Sequence, residues 1–267
     1  MQPVDSPTPD SSVAAPSPPQ GVAPVWHTVV FIAGIALLSF TGAKQLAGEH
    51  ARVNRMQTYA FTLATELVML VWVYFGMRLR RIPFRTIFGD LSGGVRTLVI
   101  DLGSAAAFWV VSLTTLGTLR LTWMAADASI HHRPMFPNGK PDASQQRLLD
   151  TLARVAPSHG AEFAVWIAVC VMAGLVEEVV FRGYFQRQFA AWGRGAIWVG
   201  VVFSSLLFGF GHGYQGAQQM VLLSVFGAMF SLLAIFRRNI RSGIIAHAWQ
   251  DIFAGMMIAL ARALHQI

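Results

Sequence analysis

Charge is scarce in this chain. Charged residues are 12% of the 267 positions, against about 25% in soluble domains. Hydrophobic residues make up 54% and the mean hydropathy is +0.51. An ordinary soluble globule is thereby excluded, and a membrane protein is indicated. Cysteine is almost missing: Cys170 stands alone inside an apolar run, which excludes a disulfide framework and a Cys-rich metal site. It reads as a small buried hydrophobe. Acids are also few, 13 against 20 bases. The bases are mostly Arg in short segments between apolar runs. That pattern is topological rather than nucleic-acid-binding, so no nucleic-acid partner is expected. No internal repeat is visible, which argues against an inverted-repeat transporter.

What the chain does have is long apolar runs. Residues 1–24, MQPVDSPTPDSSVAAPSPPQGVAP, carry two acids and no base and read as a disordered Pro/Ser-rich segment. They lack the positive n-region of a signal peptide. A spanning helix needs about 20 apolar residues. Candidates lie near 26–43, 57–77, 97–119, 161–188, 195–211, 216–236 and 243–264. The expected fold is therefore all-α. It is a polytopic bundle of about seven spanning helices, within a range of six to eight, set by span length. Residues 25–120 form the N-terminal membrane helices. Residues 121–160 form a polar loop broken by Pro134, Pro137 and Pro141, with a short interfacial helix expected near Ala143–Val155. Residues 161–267 form the core that carries the chemistry.

Three short connections hold Arg78, Arg80, Arg81, Arg85, Arg96, Arg187, Arg194, Arg237, Arg238 and Arg241. They share one side if seven helices alternate, and the positive-inside rule then places them and the N-terminus in the cytoplasm. The high ratio of Arg to Lys suggests a GC-rich bacterium, hence its inner membrane.

Ionisable groups at membrane depth cost about 2.5–3.5 kcal/mol each and are functional candidates by default. The second half holds Glu177, Glu178, Arg182, His212, His247 and Asp251. Glu178 and Arg182 are four apart, with the acid first, the favourable order for a pair on one helix. Glu177 points about 100° away and has no partner on its own helix. A lone buried carboxylate suits a general base. His212 follows Gly209 and Gly211 and precedes Gly213, so the backbone there is expected to break. Phe208 lies four residues earlier and is expected to line the cavity. His247 and Asp251 share another helix face, where the acid can orient the imidazole. Glu66 and Asp101 are solitary intramembrane acids that line the cavity or bond a neighbouring helix. His131 and His132 are expected to be solvated. On an ideal helix Glu177 and His212 lie at different depths, roughly 18 and 26 Å from the turn near 189–194, so a tilt or break is required.

The order EEVVFR (Glu177, Glu178, Arg182), FGFGH (Phe208, His212) and HAWQD (His247, Asp251) resembles the CPBP family: the CAAX protease and bacteriocin-processing enzymes, or Abi proteins. That family includes the type II CAAX prenyl endopeptidases. The resemblance covers about residues 160–264. Asp251 stands where the prenyl endopeptidases have Asn, which matters because an ionised Asp cannot donate a hydrogen bond. The resemblance implies an intramembrane endopeptidase acting on a membrane-associated or lipidated protein or peptide. Its implied site is Glu177, Glu178, Arg182, His212, His247 and Asp251. Glu177 would activate water held by His212, and His247 would support the oxyanion with Asp251 orienting it or donating itself. A metal-free reaction without cofactor is preferred, since no His-Glu-x-x-His is present. The alternative is zinc held by Glu177, His212 and His247. Two other classes stay open: a non-catalytic membrane scaffold and a proton-coupled transporter.

Overall fold

The computed structural model describes residues 20–46, 54–90, 92–132, 134–135 and 143–264. Among them it is helical, with no strand. Helix α1 is Val25–Leu46, α2 Arg55–Leu79, α3 Gly94–Ile130, α4 Ala143–Val155 and α5 Gly160–Glu177. A π-helical segment, Glu178–Phe185, runs without interruption into α6, Gln186–Trp192. Then come α7, Ile197–Gly211, α8, Ala217–Arg237, and α9, Arg241–Ala263. The six helices long and apolar enough to cross a membrane are α1, α2, α3, the continuous run Gly160–Trp192, α8 and α9. The chain is an integral membrane protein. The seventh candidate, at α7, is a 15-residue helix, short of the roughly 20 residues a span needs.

One reading changes, at α3. The polar stretch expected from about residue 121 is helical to Ile130. Nothing between Leu121 and Ile130 breaks a helix, since the first proline is Pro134. His131 and His132 close α3 and are exposed. The helix expected at Ala143–Val155 is present as α4. Pro137, Pro141 and residues 1–19 of the Pro/Ser-rich segment lie outside the described residues.

The polar ends of the bundle are laced by arginines that donate to backbone carbonyls. At one end Arg187 Nη2 donates to the Thr86 carbonyl at 3.2 Å. Arg241 Nη1 donates to the carbonyls of Phe88 and Asp90, at 2.9 and 2.6 Å. These bonds join all three arginine-rich connections at a single end of the bundle. Asp101 completes the lacing. It accepts from Arg237 at 3.0 Å, Arg241 at 2.6 Å and Ser242 at 3.1 Å. Of the two options read for this acid, the structure selects the bond to a neighbouring helix. At the other end Tyr59 donates to the Val155 carbonyl at 2.6 Å, and Arg262 donates to that of Ala156 at 3.2 Å.

Between these ends the core is aromatic. Phe31, Tyr184, Phe185, Phe208, Phe226 and Phe230 are buried in one cluster. The Tyr184 hydroxyl, fully buried, meets His27 Nδ1 and the Thr28 hydroxyl, each at 2.8 Å. Gln188 clasps the Ala23 backbone through both amide atoms at 3.0 Å. Helices α5 and α9 approach closely at Gly174, where a Cβ would lie 2.9 Å from the Ile244 carbonyl oxygen and 3.0 Å from the Ala248 nitrogen. That approach sets the distance between the two helices that carry the acids and His247.

Candidate active site

Helix α5 ends at Glu177 and the π-helix begins at Glu178, so the change of helical winding falls between the two acids. The i→i+5 pattern carries more residues per turn and recurs at functional sites. The regular 100° phase therefore does not hold beyond Glu177. The predicted pair survives the change: Arg182 Nη1 donates to Glu178 Oε1 at 2.9 Å, and both side chains are wholly inaccessible. Arg182 is held on every side. Its Nη2 donates to the Gly227 carbonyl at 3.0 Å, and its guanidinium lies 4.7 Å from the Phe208 ring and 4.9 Å from that of Phe230. Such packing desolvates the charge and adds cation–π attraction.

Glu177 differs from its neighbour. Its side chain is 20% exposed, and its Oε2 lies 3.7 Å from His247 Nε2, beyond hydrogen-bond reach. The sequence offers it no partner on its own helix; the fold supplies one from α9. The same imidazole turns Nδ1 to Glu178 Oε1 at 3.3 Å and Nε2 to Asp251 Oδ2 at 3.8 Å. His247 is thus ringed by three carboxylates. Its ring stacks on Phe230, with centroids 5.1 Å apart. The expectation that Asp251 orients His247 is revised: the nearest carboxylate contact on the ring is Glu178, through Nδ1. Asp251 is 35% exposed in its side chain and stands on the open side with Glu177.

His212 caps α7, where the helix gives way to a 3₁₀ turn at Gly213–Gln215. This is the break the glycines predict. Its Nδ1 bonds the Phe208 carbonyl at 2.9 Å. A carbonyl only accepts, so that nitrogen carries the proton and Nε2 is the free acceptor of the neutral ring. His212 interacts electrostatically with Asp251, which interacts in turn with Glu177. Phe208, 1% exposed, joins the two halves of the site. Its ring centroid is 4.8 Å from that of His212 and 6.0 Å from that of His247. Rather than lining an open cavity, it is the packed wall beneath the imidazoles.

Two residues extend the cluster. Glu66, near the middle of α2 and 4% exposed, interacts electrostatically with Glu177, Asp251 and His247. Its Oε2 is buried with no hydrogen-bond partner. The sequence marks it as a solitary acid, and the fold turns it toward the others. Tyr214, which the sequence reading passes over, lies 6.0 Å from the His212 ring and within electrostatic range of Glu177 and Asp251. A hydroxyl two residues after the histidine was the available signal.

The donors can be tested against a metal. Among the described residues, no group of three His, Cys, Asp or Glu side chains is arranged to hold an ion. The Nδ1 bonds of His247 to Glu178 and of His212 to a carbonyl leave both Nε2 atoms free, the arrangement that metal-ligating histidines use, but Glu177, His212 and His247 are not gathered into one closed set.

Residues 159–253 match the family model described as type II CAAX prenyl endopeptidase Rce1-like. The match covers all three motifs, from Glu177 to Asp251. No curated protein and no solved structure matches the chain.

Proposed function

Since residues 159–253 form an Rce1-like domain within a polytopic membrane protein, we propose that the chain is an intramembrane endopeptidase that hydrolyses peptide bonds by a glutamate-activated water. The substrate class is a membrane-associated or lipidated protein or peptide. The observation that carries this reading is the division between adjacent acids. Glu178 is sealed against Arg182, whereas Glu177 is accessible and faces His247 and Asp251.

The chemistry follows from these positions. Glu177 takes a proton from a water whose other hydrogen is held by the free Nε2 of His212. The resulting hydroxide attacks the peptide carbonyl carbon. His247, kept in place by Glu178 and by the Phe230 ring, donates from Nε2 to the developing oxyanion. Donors of that kind contribute about 2.7–4 kcal/mol each. When the C–N bond breaks, Glu177 returns its proton to the leaving amine nitrogen. Glu178 and Arg182 are positioning residues, since neither reaches the open side. Asp251 places further negative charge beside His247 and favours its donor form. The N-terminus and the arginine-rich end lie in the cytoplasm, and the membrane is a bacterial inner membrane.

The test compares protein termini in membranes from cells carrying the wild-type chain, the Glu177→Gln variant or no chain. The expected result is a set of new termini in the wild type alone, restored by the purified protein in liposomes. Termini that appear equally with Glu177→Gln would sink the protease reading and favour a scaffold. A proton flux abolished by the same substitution, with no new termini, would indicate a transporter.

A further inference from the structure

A second polar site lies at the arginine-rich end, apart from the reacting groups. A cavity of about 420 Å³ opens where the α6–α7 turn meets the α8–α9 turn. Its floor is made of buried polar groups. Arg182 is 2% exposed and its Nε donates to nothing; Gln186 is 7% exposed and its Oε1 accepts nothing. A half-turn of the Gln186 amide would present its N–H groups instead. Arg187 and Arg238 stand at the walls. Among the described residues neither has a carboxylate partner, whereas their neighbours Arg237 and Arg241 share Asp101. Among the described residues no acid lines the cavity.

The backbone adds to this field. Ile197 and Ile240 also line the cavity, which brings the N-termini of α7 and α9 to it. Helix α7 has no side-chain cap there, whereas the first amide of α9, that of Arg241, donates to Asn239 Oδ1 at 3.0 Å. A helix N-terminus carries roughly half a positive charge, and such ends bind phosphate. Apart from Gln20 and Asn239 the remaining walls are apolar, Val22, Ala234 and Ile235 among them. Two arginines without a carboxylate partner, a buried guanidinium with an idle N–H and two helix N-termini converge on one space beside apolar walls. That space lies at the level where a spanning bundle meets its headgroups.

We infer that this cavity binds the phosphate of an anionic phospholipid, with Arg187 and Arg238 gripping the headgroup above Arg182 and Gln186. The apolar walls take the start of the acyl chains. Basic pockets between membrane helices recognise anionic headgroups in this way. The inference does not depend on hydrolysis. It does connect the two sites, because the guanidinium beneath the lipid is the one that holds Glu178.

The experiment uses the full chain in detergent micelles, analysed by native mass spectrometry. Phosphatidylglycerol, phosphatidylcholine and inorganic phosphate are added separately at equal concentration. The expected result is one retained phosphatidylglycerol, with phosphatidylcholine and inorganic phosphate bound far more weakly. A doubly substituted chain, Arg187→Gln with Arg238→Asn, should lose affinity on the order of tenfold or more. Asn is chosen because residue 238 has a φ of 55°, which Asn tolerates. Equal retention of phosphatidylcholine would overturn the inference, as would unchanged affinity in the double variant. Inorganic phosphate that competes at equal concentration would reassign the cavity to a free anion. Should the double variant fold poorly, the wild-type preference between the two lipids still decides.

Discussion

Glu177 and Glu178 are neighbours in sequence and opposites in circumstance. One carboxylate is sealed and paired, the other accessible, and the two should respond differently to the same substitution. Glu177→Gln keeps the shape and removes the base. Turnover should fall by about 10²–10⁴, as expected for loss of a general base, while the thermal midpoint stays within a few degrees. Glu178→Gln leaves Arg182 buried without its counter-charge. Breaking a buried pair from one side costs about 3–5 kcal/mol, so this variant should lose thermal stability and turnover together. A thermal melt in detergent beside a peptidase assay separates the two. Much of this was readable from spacing, since an i, i+4 pair stays together even where the helix winds as π. The partner of Glu177 was not readable, because His247 lies seventy residues away on another helix. Nor was Glu178 as the group that orients His247. Asp251 was the nearer candidate in sequence, and only packing brings Glu178 Oε1 to Nδ1.

At the scale of elements, span length and apolar content located the long helices, because lipid imposes one requirement on all of them. The same reasoning failed at α3, where a helix leaving the apolar region has no cause to stop before a proline. It could not anticipate the π-helix either, because no residue type announces an i→i+5 turn. Contact between α5 and α9 rests on Gly174. Gly174→Val would push Cβ into the Ile244 carbonyl and the Ala248 backbone, at about 1–3 kcal/mol for overpacking. It should also move His247 away from both acids. The expected outcome is a lower melting temperature with a disproportionate loss of turnover. Gly34→Val, where a Cβ meets nothing within 4 Å, should change neither. Equal effects of the two substitutions would show that the α5–α9 approach does not govern the site.

For the molecule as a whole, the three motifs meet near the middles of the long apolar helices. Glu66 and Asp251 lie near the middles of α2 and α9, and Glu177 closes α5 against them. In the proposed reaction the proton acceptor is a side chain. Exhaustive chelation followed by metal analysis should then leave turnover intact at zero bound zinc; loss of activity restored by zinc would favour zinc held by Glu177, His212 and His247 instead. Orientation is open to a direct check. Cysteine introduced at Arg194 in a Cys170→Ala background should react with an impermeant thiol reagent only after the inner membrane is breached. Labelling of intact spheroplasts would reverse the topology.

Asp101 has a consequence for the history of the chain. Arg237 and Arg241 both bind it, but only once α3, α8 and α9 have come together. While the helices are being threaded into the bilayer, both arginines count in full toward the choice of side. After assembly their charge is largely spent on one aspartate. Arg187 and Arg238 count toward that choice as well, but among the described residues they bind no carboxylate and keep their charge in the finished protein. A substitution at Asp101 should leave the sidedness of the nascent chain untouched and give the mature protein a more positive face.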